Sequence, residues 1–152
     1  MAKNDSWIPP MAFYFQVQFH WGSQHIGASF MEVSGLDQEM VIEDLSQAGD
    51  DRMIKLPKEI KHGNIVLKRS LEPLDEKITS WVKSCFSYSM NGRISPCNLV
   101  ISLMDAGQQE VACWACSRAY PVKWDLGILD AQKSGLVVES LTLTYNRLER
   151  KK

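Results

Sequence analysis

Phe13-Tyr-Phe-Gln-Val-Gln-Phe-His20 alternates without a break. A period of two belongs to a strand with one face on a core, because a helix would scatter the same aromatics around its axis. Phe13, Phe15, Val17 and Phe19 are therefore expected inward, with Tyr14, Gln16, Gln18 and His20 outward.

The same period recurs along the chain. A turn over residues 22–27 leads into a second strand from Ala28 to Ser34, which Ser34-Gly35 breaks. Gln38 to Asp44 reads as a third strand, with Met40 and Ile42 inward against Val41 and Glu43. Asn64 to Leu71 places Ile65 and Leu67 opposite Val66 and Lys68. Further on, Cys97, Leu99, Ile101 and Leu103 alternate with Asn98, Val100, Ser102 and Met104, and Asp105-Ala-Gly107 turns the chain into a hairpin partner at Glu110 to Ser117. Ala119-Tyr-Pro-Val-Lys-Trp124 is apolar but holds a proline, which confines it to an edge or a crossing. After a polar loop from Asp125 to Gly135, the last strand runs from Leu136 to Tyr145.

One helix is expected over 73–87. Leu74, Ile78, Trp81, Val82 and Cys85 share a face, Pro73 suits a first turn, and Asp75 and Glu76 favour the positive end of the helix dipole. Gly92 bars its continuation. About seven strands and one helix give a mainly β fold: a single domain over residues 1–152, an antiparallel β-barrel or sandwich with one flanking α-helix. Residues 1–12, interrupted by Pro9-Pro10, form an irregular arm.

Residues 45–62 lack a clean period of either kind. Asp50, Asp51 and Glu59 mix with Arg52, Lys55, Lys58 and Lys61, and Pro57 and Gly63 break the run. Yet Met53, Ile54, Leu56 and Ile60 recur through it, which a disordered tract would lack. Long loops in compact domains are usually functional. A second arm with apolar anchors and both signs of charge suits another protein surface, so Asp50, Asp51, Arg52, Lys55, Leu56, Lys58, Glu59 and Lys61 are the candidate interface between subunits.

Several function classes lose support. A formal net charge of -1 offers no field for nucleic acid or anionic lipid. No apolar run approaches the ~20 residues of a membrane helix, so no membrane partner is expected. The first ten residues lack the apolar stretch of a secretory signal, which makes synthesis and assembly in the cytoplasm the expectation. Cys113-Trp-Ala-Cys116 would need a helix N-terminus to act in redox chemistry, and in a strand its two thiols point to opposite faces. Cys85, Cys97, His20, His25 and His62 supply no second ligand pair at chelating spacing for zinc. No nucleophile elbow, phosphate-binding glycine loop or H-E-x-x-H pattern occurs. No enzyme activity and no cofactor are expected. Glu39, Glu43, Lys68 and Glu139, which punctuate the strands, read as a solvated outer face or as the wall of a wet channel.

Phe30-Met-Glu-Val-Ser-Gly-Leu-Asp37, Lys55-Leu-Pro57, Gly63-Asn-Ile-Val-Leu-Lys-Arg69, Ala119-Tyr-Pro-Val-Lys-Trp124 and Val138-Glu-Ser-Leu-Thr-Leu143 together resemble the phage tail tube family in order and spacing. This is the inner tube of contractile phage tails and of related contractile injection systems. The resemblance implies a small β-barrel that assembles into homo-hexameric rings stacked as a hollow tube. It implies a contractile sheath outside, spike and baseplate hub proteins at one end, and cargo or nucleic acid in the lumen without sequence-specific binding. It also implies that the arm after the third strand reaches a neighbouring subunit or ring. The Pro9-Pro10-Met-Ala-Phe-Tyr-Phe opening and the Ala119–Trp124 segment resemble the tube-initiator paralogue, which seats the first ring on the hub. Ser70, where a glycine often follows Lys-Arg, and Gly49-Asp-Asp-Arg52 depart from the family pattern. The rival readings are a lipocalin-like barrel around a small ligand, whose size and strand count also fit, and a redox or metal enzyme built on Cys113 and Cys116.

Overall fold

The computed structural model describes residues 13–46, 53–70, 76–127, 132 and 137–152. The expected N-terminal arm and Asp50, Asp51, Arg52 and Leu74 lie outside these residues. Ten strands and two helices are described: β1 Tyr14–Trp21, β2 Gln24–Phe30, β3 Glu32–Ser34, β4 Glu39–Ser46, β5 Met53–Lys61, β6 Ile65–Ser70, α1 Glu76–Phe86, α2 Tyr88–Asn91, β7 Cys97–Met104, β8 Glu110–Leu126, β9 Val138–Thr144 and β10 Arg147–Arg150. Every pairing is antiparallel.

Two sheets share one strand. The first is ordered β2-β1-β7-β8-β10 and the second β8-β9-β6-β3. The first half of β8 pairs with β7 and β10, and its second half pairs with β9. Between the halves Arg118 sits at φ 54°, a left-handed backbone that bends the strand. Pro121 follows beside a register shift in the β8–β9 ladder, so the expected edge-or-crossing segment is the second half of β8 and not a separate strand. The expected second strand is also divided. β2 belongs to the first sheet and β3 to the second, with Met31 at the corner. These corners are what let two sheets wrap one core.

Inside, Val17 and Phe19 of β1 and Leu99 and Ile101 of β7 meet Ile65 and Leu67 of β6 and Leu143 of β9, all fully buried. Burying each such side chain contributes about 1.5–3 kcal/mol. Side chains fill the space that a ligand-binding barrel would leave open. Phe15 is only partly buried and Phe13 is exposed, so the alternating strand enters the core two residues later than its pattern implies.

The helix closes one end. Ile78, Trp81, Val82 and Cys85 are buried, as their spacing requires. Trp81 packs edge-on to Phe19 and Trp21, with centroids 6.0 and 5.5 Å away, and donates its indole N–H to Ser95 O at 2.6 Å. The short α2 ends at Gly92, whose φ of 68° provides the left-handed cap.

Two further expectations are corrected. Met40 and Ile42 do not face the core but are more than half exposed, because β4 leaves the barrel. Glu139 is not part of a solvated face; it is buried opposite Arg69.

Candidate assembly interface

β4 and β5 form a separate two-stranded ribbon that pairs with no other strand among the described residues. The segment expected to be an irregular arm is thus, over residues 53–61, a regular strand. Its register explains why its sequence hides this. Val41 pairs with Glu59 but Ile42 with Pro57, leaving Lys58 as the extra residue of a bulge. Pro57, which has no N–H to give a ladder, is tolerated there. The bulge changes the phase, so Met40, Ile42 and Ile60 share one face while Leu45, Ile54 and Leu56 lie on the other.

Met40, Ile42, Leu45, Ile54, Leu56 and Ile60 are each between 41% and 59% exposed. Apolar surface of this extent on a projecting ribbon makes it the candidate interaction site. The charges are sorted by strand: Glu39, Glu43 and Asp44 on β4, and Lys55, Lys58 and Lys61 with Glu59 on β5. Glu39 lies opposite Lys61 and Asp44 opposite Lys55, while Glu59 approaches Lys61 at 3.9 Å. Of the candidate interface residues, Lys55, Leu56, Lys58, Glu59 and Lys61 therefore fall on β5 and are exposed.

The ribbon is rooted through side chains. On its outgoing leg Gln38 Nε2 donates to Leu148 O at 2.7 Å. On its return leg His62 places Nδ1 3.1 Å from Gly63 O and Nε2 3.2 Å from Asn146 O, with its ring stacked on Tyr145 at 4.0 Å. Gly35, at φ 87°, passes so close to Asn64 that an added Cβ would lie 2.0 Å from its carbonyl oxygen. No periodic signal in the sequence marks this role, because the partner that ties His62 to the barrel, Asn146 O, lies 84 residues away.

The first sheet has a different outer face. Gln16, Gln18 and His20 of β1, His25 and Ser29 of β2, and Asn98 and Ser102 of β7 line it, with no Asp, Glu, Lys or Arg on these three strands' outward positions. Ser29 donates to Gln16 Oε1 at 3.0 Å, and the His20 and His25 rings stack with centroids 5.6 Å apart. Within this sheet, β2 and β10 are the edges.

The cysteines are free and buried. Cys116 points into the core, whereas Cys113 lies beside Ser102 at 3.9 Å. Burial pushes Cys97 and Cys116 up to about 12 and raises Cys85 and Cys113. Burial thus disfavours the thiolate, the form that attacks and ligates, and no group of three or more metal-ligating side chains occurs among the described residues.

Comparison with known proteins bears on the family and the fold. The family described as T4-like virus tail tube protein gp19 matches residues 11–149. A chain of the PVC sheath-tube complex, from an extracellular contractile injection system in its extended state, superposes with a TM-score of 0.71 at 23% identity, covering 97% of this chain and 93% of that one. A chain of the anti-feeding prophage baseplate gives 0.70 at 23% identity, covering 91% of both. Hcp1 from Salmonella typhimurium gives 0.55 at 9% identity, covering 92% and 86%. No curated protein sequence matches.

Proposed function

The chain belongs to the T4-like virus tail tube protein gp19 family, a structural and non-enzymatic one, and on that premise we propose that it forms hexameric rings stacked into the hollow inner tube of a contractile injection system or contractile phage tail. The observation that carries this is the presence, among the described residues, of two unpaired sheet edges, β2 and β10, together with a projecting apolar ribbon on the same subunit. An unpaired edge is a template for another strand. Head-to-tail contacts between unlike surfaces close into a ring when the rotation permits. Edge-to-edge contact between copies would join the first sheets into one wall, with the Gln, His, Ser and Asn face of β1, β2 and β7 toward the lumen and Glu110, Arg147 and Glu149 on the same face along β8 and β10. Such a wall passes cargo without sequence-specific binding.

The ribbon reaches a neighbouring subunit or ring, with Lys55, Leu56, Lys58, Glu59 and Lys61, together with Asp50, Asp51 and Arg52 beyond the described residues, at the contact. A contractile sheath surrounds the tube and a spike hub seats its first ring. The opening Pro9-Pro10 segment and Ala119–Trp124 favour the tube initiator within the family. The protein is assembled in the cytoplasm and works as part of a phage tail or phage tail-like particle.

Electron microscopy of the full chain at high concentration, with and without a spike hub, tests the proposal. Rings or short tubes are the expected result. A strict monomer in the presence of the hub overturns it.

A further inference from the structure

The ribbon's direction is set at its root, and one of the root's ties depends on a proton. Both ring nitrogens of His62 face main-chain carbonyl oxygens, Nδ1 toward Gly63 and Nε2 toward Asn146. Carbonyl oxygens only accept, so both contacts are hydrogen bonds only when both nitrogens carry hydrogen. A neutral imidazole has one N–H and turns a lone pair toward the other oxygen. The ring also lies nearly parallel to Tyr145, at 14°, and an imidazolium there gains the attraction of a cation for an aromatic face. The companion tie, from Gln38 to Leu148 O, involves no titratable group and ends two residues from Asn146. Both legs of the ribbon are thus fastened to one short piece of main chain, the corner between β9 and β10.

We infer that His62 is a proton-dependent positioning residue for the ribbon: doubly protonated, it holds the return leg against the β9–β10 corner, and loss of one proton leaves a single N–H to serve either Gly63 or Asn146. The titratable and charged groups on the surrounding segments are Tyr145 beneath the ring, Asp37 and Glu39 on the outgoing leg, Lys61 beside it on β5 and Arg147 beyond the corner. Burial, then Cys116 and Asp37, push Tyr145 up to about 12, so it stays neutral. The doubly protonated ring satisfies both carbonyl oxygens, and the neutral ring leaves one of them facing a lone pair.

The consequence for tubes rests on the ribbon being the assembly arm, but the test does not. Amide hydrogen exchange of residues 53–61 is measured in the dilute, unassembled subunit at about pH 5.5 and about pH 8, corrected for intrinsic exchange. Protection falls by about tenfold at the higher pH, the effect of one charge-assisted hydrogen bond. His62→Phe, which keeps the stack, shows equal protection at both. A His20→Gln/His25→Gln variant keeps the change. Unchanged protection in the natural chain, or a persisting change in His62→Phe, overturns the inference. Ring nitrogen-15 spectra of the natural chain provide a check independent of any variant's folding: two N–H groups on His62 at about pH 5.5 are expected, and a single one overturns the inference. Tube length on the same samples separates the two ideas, because protection that changes while tubes do not leaves the tie standing and removes the ribbon from assembly.

Discussion

Arg69 and Glu139 lie directly opposite each other across β6 and β9, and both are buried beneath α1. Trp124 donates its indole N–H to Glu139, and the Arg69 guanidinium sits 5.8 Å from the centre of the Phe30 ring. Both side chains line the space between the second sheet and Ile78, Thr79 and Val82 of α1. Removing the Glu139 carboxylate takes the acceptor from the partly buried Trp124 indole N–H, so Glu139→Ala should cost about 1–3 kcal/mol in urea unfolding of the dilute subunit. A variant as stable as the natural chain would mean that this hydrogen bond contributes nothing to the fold.

The cysteines set an alkaline limit. In the fold, Cys97 and Cys116 titrate near about 12 against an ordinary 9.0. Above the unfolded value the unfolded chain loses these protons while the folded chain keeps them, so stability is full below about pH 9 and falls as pH rises toward 12. The unfolding midpoint should drop steeply across that window, and less steeply in a Cys97→Ala/Cys116→Ala variant. At pH 8 a thiol reagent should modify neither residue until the protein unfolds. Fast labelling of the native protein would contradict their burial.

The ribbon should affect assembly and not the fold. Ile54→Glu with Leu56→Glu removes apolar surface from one face of a projecting hairpin that touches no core. The subunit's unfolding should shift by about 0.5 kcal/mol or less, as exposed substitutions do, while rings or tubes fail to form in electron micrographs. Lys55→Glu should act more weakly and with strong salt dependence, since it sets like charges opposite each other at Asp44. Normal tubes from the double variant would remove the ribbon from the interface.

Gly35 should tolerate no side chain. Its left-handed φ and the 2.0 Å approach to Asn64 O are both constraints of main chain, which cannot move aside like a flexible side chain. Gly35→Ala should cost more than about 3 kcal/mol or prevent soluble expression, with the ribbon's amides the first to lose protection.

Elements held by periodic burial were legible in the sequence. Val17 and Phe19, Ile65 and Leu67, and the Ile78-Trp81-Val82-Cys85 face all lie where alternation or helical spacing puts them. Met40 and Ile42 misled because the same alternation marks a ribbon whose apolar face is exposed on this subunit; the pattern records that a surface is apolar, not that this chain's core covers it. Over 53–61 the extra residue at Lys58 moved the phase and made a strand look irregular. Glu139 was read as exposed from its type, whereas its burial depends on Arg69 and Trp124, which lie far from it in the sequence. His62 carried no signal at all.

β8 is one covalent strand of 17 residues that serves two sheets. A pull applied to the first sheet therefore does not need to cross a hydrogen-bonded ladder to reach the second; it runs along peptide bonds through the bend at Arg118. Ladders can shear, one weak rung after another, but a continuous backbone cannot slip against itself. In a tube driven through a barrier, the walls facing inward and outward would advance as one body, and mechanical failure would begin between subunits before it began within one.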